Sequence, residues 1–506
     1  MGIFDKDDET ILIWSKMQDK DDNFSPICKL VPMPRRMRRR LFATTILLIE
    51  ILLFNSFKAK AQTIATGGEH AIFICNNNIP MSCGYNLLGQ LGNGTTADDS
   101  IPYSISSLTG ITSVASSLVH SLFLKNDGTV WACGLNGNGE LGIGSTISNK
   151  TTPVKIDSIN GVVAIAVGGL HSIFLKNDGT VWTCGYNALG QLGDGSLADR
   201  LSPVQITSLS NIVAIAGGRN HSLFLKSDST VWGCGDNWAG EIGSGTTTAF
   251  YPTPVQVVNV TGISAIAAGW YHSLFLKNDS TVWSCGYNYY GQLGDGTGLF
   301  TISPIKIPSL KNIIKISAGG QHSLFLNNND SVLTCGYNVY GQLGNGTIAN
   351  DSVPSLVTAI GNVSGIAGGN NSSLFLKNDG TVFGCGENHF GQLGNGMTND
   401  YNPNPLPLQA TSLCQVTTTI KENYIKKSIS IYPNPFSFET TIKTDLYLRN
   451  AILIIYNTLG QEIRVIKNIS GQETILHRDN LLNGIYFIRV TQDNRLVTSD
   501  KLVITD

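Results

Sequence analysis

The chain has 506 residues, 42% of them hydrophobic and only 14% charged, with 55 glycines and a formal net charge of −2. A sequence of this kind can bury a large core, which excludes a mainly disordered state and a helical or coiled-coil protein built on Ala, Glu, Lys and Leu. The near-neutral balance creates no field to gather polyanions or anionic membranes, so no nucleic acid partner is expected, and the glycine excess points to a turn-rich, all-β chain.

Residues 1–32 are charged and unpatterned. Arg35, Arg36, Arg38, Arg39 and Arg40 then precede an apolar run from Leu41 to Phe54, followed by Lys58-Ala59-Lys60-Ala61. That order of basic, apolar and small residues is a secretory signal peptide with its cut after Ala61. A membrane anchor is the competing reading, but the run is interrupted by Glu50 and is shorter than the ~20 apolar residues a spanning helix needs. A signal peptide starting at Met33 or Met37 has ordinary proportions. Residues 33–61 are therefore read as the signal peptide and residues 1–32 as a candidate misassigned start.

From residue 62 a period takes over. His recurs at His70, His120, His171, His221, His272 and His322, with Ser372 in the seventh place. Each is followed thirteen residues later by Cys83, Cys133, Cys184, Cys234, Cys285, Cys335 or Cys385, then by Gly-x-Asn and Gly-(Gln/Glu)-(Leu/Ile)-Gly-x-Gly. Within a copy, His221 to Trp232 reads as two strands around a tight turn. Asn211 to Ala216 gives a strand before them, and another follows the recurring Pro102, Pro153, Pro203, Pro254, Pro304, Pro354 and Pro405. Four short strands, apolar on both faces, in seven copies predict a seven-bladed β-propeller over 62–415. Because the cleaved chain would start on one of these strands and end at Pro405 to Leu408, residues near 405–410 are expected to pair with the sheet containing Ile72 to Ile74 and so close the ring.

The string Gly-Gly-x-x-His-Ser-Leu-Phe-Leu, then Gly-Thr-Val-Trp-x-Cys-Gly-x-Asn-x-x-Gly-Gln-Leu-Gly-x-Gly, resembles the repeat of the regulator-of-chromosome-condensation family, also called alpha-tubulin-suppressor-like repeats. The resemblance spans about 62–410. Trp-Asp repeats are shorter, and kelch repeats lack the Cys-Gly-x-Asn element.

Six histidines in one register invite a metal reading, but symmetry sends each to its own blade, so they are expected to be structural, buried imidazoles bonded to nearby backbone. The seven repeated cysteines read as small buried thiols for the same reason. Cys75 and Cys414 are the irregular pair of the mature chain, and the sequence leaves a bridge between them open. The Gly-Gln-Leu-Gly-x-Gly segment lacks the Lys-Ser/Thr of a phosphate loop and recurs in every copy. No catalytic residue, cofactor or metal site is expected. Function is instead sought where the repeat varies: the two positions before each His and the two after each Cys-Gly-x-Asn. There Arg219, Trp238, Trp270, Tyr271, Tyr289 and Tyr290 belong to adjacent blades, and Trp, Tyr and Arg are common interface anchors. They form the candidate partner-binding patch, with gap-filling between blades as the competing reading.

Residues 416–428 read as a linker. Beyond it lie seven strand candidates: Ile429 to Tyr432, Thr440 to Lys443, Ala451 to Tyr456, Glu462 to Ile466, Glu473 to Leu476, Gly484 to Val490 and Lys501 to Ile504. They predict a small Ig-like β-sandwich over 429–506. Tyr432-Pro-Asn-Pro435, Tyr456-Asn-Thr-Leu-Gly-Gln461, Leu482-Asn-Gly-Ile-Tyr-Phe487 and Lys501-Leu-Val-Ile504 resemble the type A carboxyl-terminal sorting domain of the type IX secretion system. This resemblance implies passage through the outer membrane, with release or attachment at the cell surface. A carbohydrate-binding sandwich is the competing reading.

The expectation is thus a secreted or surface-attached, non-enzymatic, monomeric propeller that binds an extracellular protein or glycan and meets the type IX machinery through 429–506. Inhibition of a secreted enzyme is a second binding role. Guanine-nucleotide exchange, the activity for which the repeat family is named, conflicts with export, and no segment matches an exchange surface. A hydrolase or lyase would need a non-repeated acid or base cluster near the channel, and within the ring only His389 leaves the histidine register.

Overall fold

The computed structural model describes residues 10–18, 24–32, 61–75, 77–146, 149–399, 402–414, 429–457, 462–492 and 495–506. The basic and apolar segments of the expected signal peptide and the expected linker lie outside the described residues. The chain divides into two compact units, Met1–Val416 and Thr417–Asp506. In the first, Thr10–Gln18 and Phe24–Pro32 pair antiparallel, an element not expected from the sequence. Alternation is weak there, but Ile, Val and Trp favour extended backbone.

Seven four-stranded antiparallel sheets follow, each from consecutive strands. Blade 3 is representative: Val162–Val167, His171–Lys176, Val181–Gly185 and Arg200–Gln205. Its second and third strands pair from His171↔Gly185 to Leu175↔Val181. The turn between them is tied by the Gly179 amide to the Lys176 carbonyl and by the Thr180 amide to Asp178 Oδ1. Gly179 takes φ +76° here, which a side chain would resist.

The second strand is buried on both faces. Its phenylalanine enters the preceding blade: Phe174 packs with Leu122, Leu124, Leu141 and Ile156 of blade 2. The same position holds Phe73, Phe123, Phe224, Phe275, Phe325 and Phe375, all fully buried. The recurring glycine, cysteine and proline meet at each seam, except that Pro407 takes the place expected for Pro405 between blades 6 and 7. A Cβ on Gly142 would lie 2.9 Å from Cys184 Sγ and 3.1 Å from Pro203, so the loop of one blade lies flat on the next only without a side chain.

The expected closure by strand exchange is not what the structure contains. Leu408–Gln409 pairs with Phe383 and Gly384 in blade 7, not with the sheet of Ile72 to Ile74. Blade 1 has its own four strands, Ala61–Thr66, His70–Cys75, Pro80–Gly84 and Asp99–Ser104. The chain enters on the first strand of a blade, so it is divided between blades and no strand needs to be shared. Closure rests on packing of Phe73, Met81 and Cys83 against Leu374, Leu376 and Leu393. A disulfide, Cys75–Cys414, also spans the seam, with Cα atoms 5.3 Å apart.

In the second unit, two pairs of the expected strands are fused. Glu439–Tyr456 and Glu462–His477 are long strands whose pairing shifts register between Lys443 and Leu448. Ile429–Tyr432 flanks one half of this ribbon, and Gly484–Gln492 with Arg495–Ile504 extends the other. Both halves contribute to one core, including Ile442, Leu453, Ile455, Leu476, Ile488 and Leu502. Fusion follows from residues 444–450, where Leu448 turns into the core and keeps the chain extended instead of turning it back.

Candidate partner-binding face

Because His pairs with the Gly that follows Cys, the turn before each His and the loop after each Cys-Gly lie at the same end of the blades. This end forms one face of the ring. Its histidines are fully buried, and each reaches the next blade instead of nearby backbone, which corrects the expected partner. His171 Nε2 lies 2.9 Å from Ser222 Oγ, and that hydroxyl donates to the Gln191 carbonyl of the His171 blade at 2.8 Å. The serine proton is thereby used, so Nε2 carries the hydrogen and donates. In blade 2, Ser117 Oγ sits 2.8 Å from His120 Nδ1, where the bare nitrogen accepts.

The link recurs at His70–Ser121, His120–Ser172, His221–Ser273, His272–Ser323 and His322–Ser373, at 2.8 to 3.1 Å. Burial holds five of these imidazoles down to about 3 and His221 to about 4, so all are neutral near pH 7. Burial pushes the repeated cysteine thiols up, making them inert packing groups.

The loop after Cys-Gly is shaped by its asparagine. Asn288 Oδ1 accepts the Leu293 amide at 2.9 Å, and its Nδ2 donates to the Thr297 and Leu299 carbonyls at 3.3 and 3.1 Å. The Tyr290 amide donates to Gln292 Oε1 at 3.1 Å. Tyr289 and Tyr290 are thus presented at the tip of a pinned turn, and Asn237 does the same for Trp238. In blade 4 the glutamine is replaced by Glu241, and burial raises its carboxyl to about 8. At neutral pH it is an acid, the nearest chemical match to the amide it replaces.

The six expected patch residues come together. The Arg219 guanidinium lies over Trp270 and Tyr271, 4.9 and 5.5 Å from their ring centroids, and donates to the Tyr271 hydroxyl. Trp238 meets Tyr271 edge-on at 6.2 Å, and Tyr289 meets Tyr290 at 5.0 Å. Two residues absent from the expected patch join the halves. Tyr287 contacts Trp238, Tyr271, Tyr289 and Tyr290, and Tyr337 continues the run from Tyr290 to Tyr340. Both fill the x of Cys-Gly-x-Asn, a position whose variation from copy to copy was the available signal. Trp238 and Tyr289 are 52% and 71% exposed, whereas Arg219, Trp270, Tyr271 and Tyr290 are half-buried. Packing therefore accounts for part of each side chain and leaves a continuous aromatic surface outside.

Where the Gly-Gly and matching segments of the seven blades meet, a cavity of about 170 Å³ is lined largely by glycines, with Arg219, Trp270 and Asn370 among its lining residues. It suits waters, not a macromolecule. At the junction of blades 7 and 1, burial and then Glu387 raise the Glu69 carboxyl, and His389 lies against Phe390. Among the described residues no group of three His, Cys, Asp or Glu side chains is arranged to hold a metal.

Residues 196–422 match the RCC1-like domain. The regulator of chromosome condensation (RCC1) repeat matches at 111–140, 127–175 and 162–191. Residues 430–505 match the secretion system C-terminal sorting domain. The ultraviolet-B receptor UVR8 of Arabidopsis thaliana is 28% identical over 243 residues, 47% of this chain and 44% of the receptor. The chain thus spans less than half the length of that relative. Among solved structures, human WBSCR16 is similar in fold, at 23% identity and TM-score 0.57, over 63% of this chain and 87% of that one. Prp20p from Saccharomyces cerevisiae, described with its binding to Gsp1p and histones, is 25% identical with TM-score 0.56, over 61% and 80%. The chain is therefore a regulator-of-chromosome-condensation repeat propeller that carries a secretion system C-terminal sorting domain.

Proposed function

We propose that this is an exported propeller, released or held at the cell surface, that binds another protein through the aromatic run on blades 4 to 6. The observation that carries the reading is the unbroken contact from Arg219 to Tyr340, with Trp238 and Tyr289 left open to solvent on pinned turns. Large aromatic side chains on preorganised loops lose little conformational freedom on binding, which is why such groups anchor interfaces. The sorting domain supports export through the type IX system and a partner outside the cytoplasm. Nucleotide exchange receives no comparable support.

The test places a photo-crosslinking side chain at Val339, exposed beside Tyr340, in the secreted full-length chain. A crosslinked protein is expected on the unaltered face and is expected to be lost with Trp238→Ala and Tyr289→Ala. Both side chains are exposed, so the fold should keep its circular dichroism. Crosslinking that survives the double substitution overturns the reading, and capture of glycan alone moves the partner to another class.

A further inference from the structure

The seam between blades 7 and 1 departs from the six others in a paired way. At every other seam a histidine of one blade bonds the serine that follows the histidine position of the next blade. At this seam both members are missing. Ser372 stands in the histidine place, and Ala71 stands where the receiving serine belongs. The Ser372 hydroxyl is buried without a hydrogen-bond partner. The carbonyl of Gln392, which a serine would meet, has only Cys83 Sγ at 3.9 Å, against 3.4 to 3.7 Å for the matching contacts elsewhere. No strand is exchanged across it either.

The same seam carries the disulfide. Cys75 ends the second strand of blade 1, and Cys414 lies just past the last strand of blade 7. Both are buried in the cluster that joins the two blades. The bond closes a loop of 339 residues, the whole ring, so it removes much chain entropy from the open state.

We infer that the Cys75–Cys414 disulfide is the clasp of the ring, standing in for the absent His–Ser link, and that the reduced protein opens at this one seam. Closing proceeds by exchange with an external disulfide. One cysteine thiolate attacks it, breaking the donor's S–S bond and forming a mixed disulfide, and the other then attacks the protein sulfur of that mixed disulfide, so that both donor sulfurs leave as thiols; a dithiol reductant runs the same steps backward. An exported chain meets such donors in an oxidising compartment.

Amide hydrogen exchange on the full-length chain tests this. Two amides donate to carbonyls across the seam: Asn370 to that of Gly67 and Gly396 to that of Ser100. Their counterparts between blades 3 and 4 are Gly169 to Gly218 and Gly195 to Pro252. With Cys75→Ser and Cys414→Ser, Asn370 and Gly396 should exchange about tenfold faster or more while Gly169 and Gly195 keep their rates. Equal acceleration at both seams, or none at either, overturns the clasp. A second variant leaves the disulfide in place: Ala71→Ser with Ser372→His rebuilds the missing link and should slow Asn370 and Gly396 alone. Unchanged rates in that variant overturn the claim that the clasp substitutes for it.

Discussion

The propeller and the C-terminal sandwich bury β-strands by opposite means. Six of the seven propeller seams combine a phenylalanine with a directed polar chain from imidazole to hydroxyl to carbonyl. The sandwich core is apolar, and its ion pairs stay at the surface, as in Lys443–Glu473 and Arg464–Asp479. A ring of near-identical wedges has no common centre to fix how neighbours align. Directional hydrogen bonds supply that register, whereas alternation of apolar and polar residues suffices for one sheet that wraps a single apolar core.

Acid should separate the two units most strongly. Free imidazoles titrate near ~6.5, while the six buried ones are held at about 3 or 4. Below ~6.5 the unfolded chain takes up protons that the folded ring refuses, so the stability present above that pH is lost as pH falls toward the folded values. Each histidine then contributes a loss of roughly 1.4 kcal/mol per pH unit. The ring should unfold between about pH 6 and 4, read by tryptophan fluorescence, since residues 429–506 contain no tryptophan. The sandwich histidine, His477, has a half-exposed side chain, so amide exchange in 429–506 should stay protected. Joint unfolding in that window would break the comparison.

Next in size, Ile488→Ala should remove about 2–5 kcal/mol from the sandwich through a cavity in its core. Amide exchange should rise in Gly484–Gln492 and leave the blades unchanged. Equal loss in the ring would show that the two units fold as one.

The smallest effect sharpens the propeller side. With its carboxyl at about 8 in the fold and near 4.5 when free, Glu241 stabilises most below the lower value and loses that stability as pH rises through 8. Glu241→Gln should therefore raise the melting temperature by about 1–3 °C at pH 8.5 and by less at pH 5. A difference that grows toward low pH would contradict a buried neutral acid.

The ring was legible because seven copies keep one register of His, Cys, Asn and Gly, and each copy marks its own strands. The partners of those residues were harder to read. His70 bonds Ser121, 51 positions away, and only the joint loss of histidine at Ser372 and serine at Ala71 encodes that pairing. Closure was misread because the strand order at Ala61 shows where a blade starts, while the proline count alone does not. In the sandwich, residues 444–450 resemble a turn by composition, yet burial of Leu448 holds them extended. The six patch residues could be named from variation. Tyr287 and Tyr337, which connect them, sit where a strand ends, so they read as scaffold.

The disulfide also fixes where the chain enters and leaves the ring. Ala61 pairs with Cys75, and Cys75 is bonded to Cys414, so both doors open on one seam. In a seven-membered circle the member facing the 7/1 boundary is the fourth, and blade 4 carries Arg219 and Trp238. The aromatic run starts on that blade opposite the seam and continues through blades 5 and 6. A repeat inserted between whole blades would lengthen one arc of the circle without dividing a sheet.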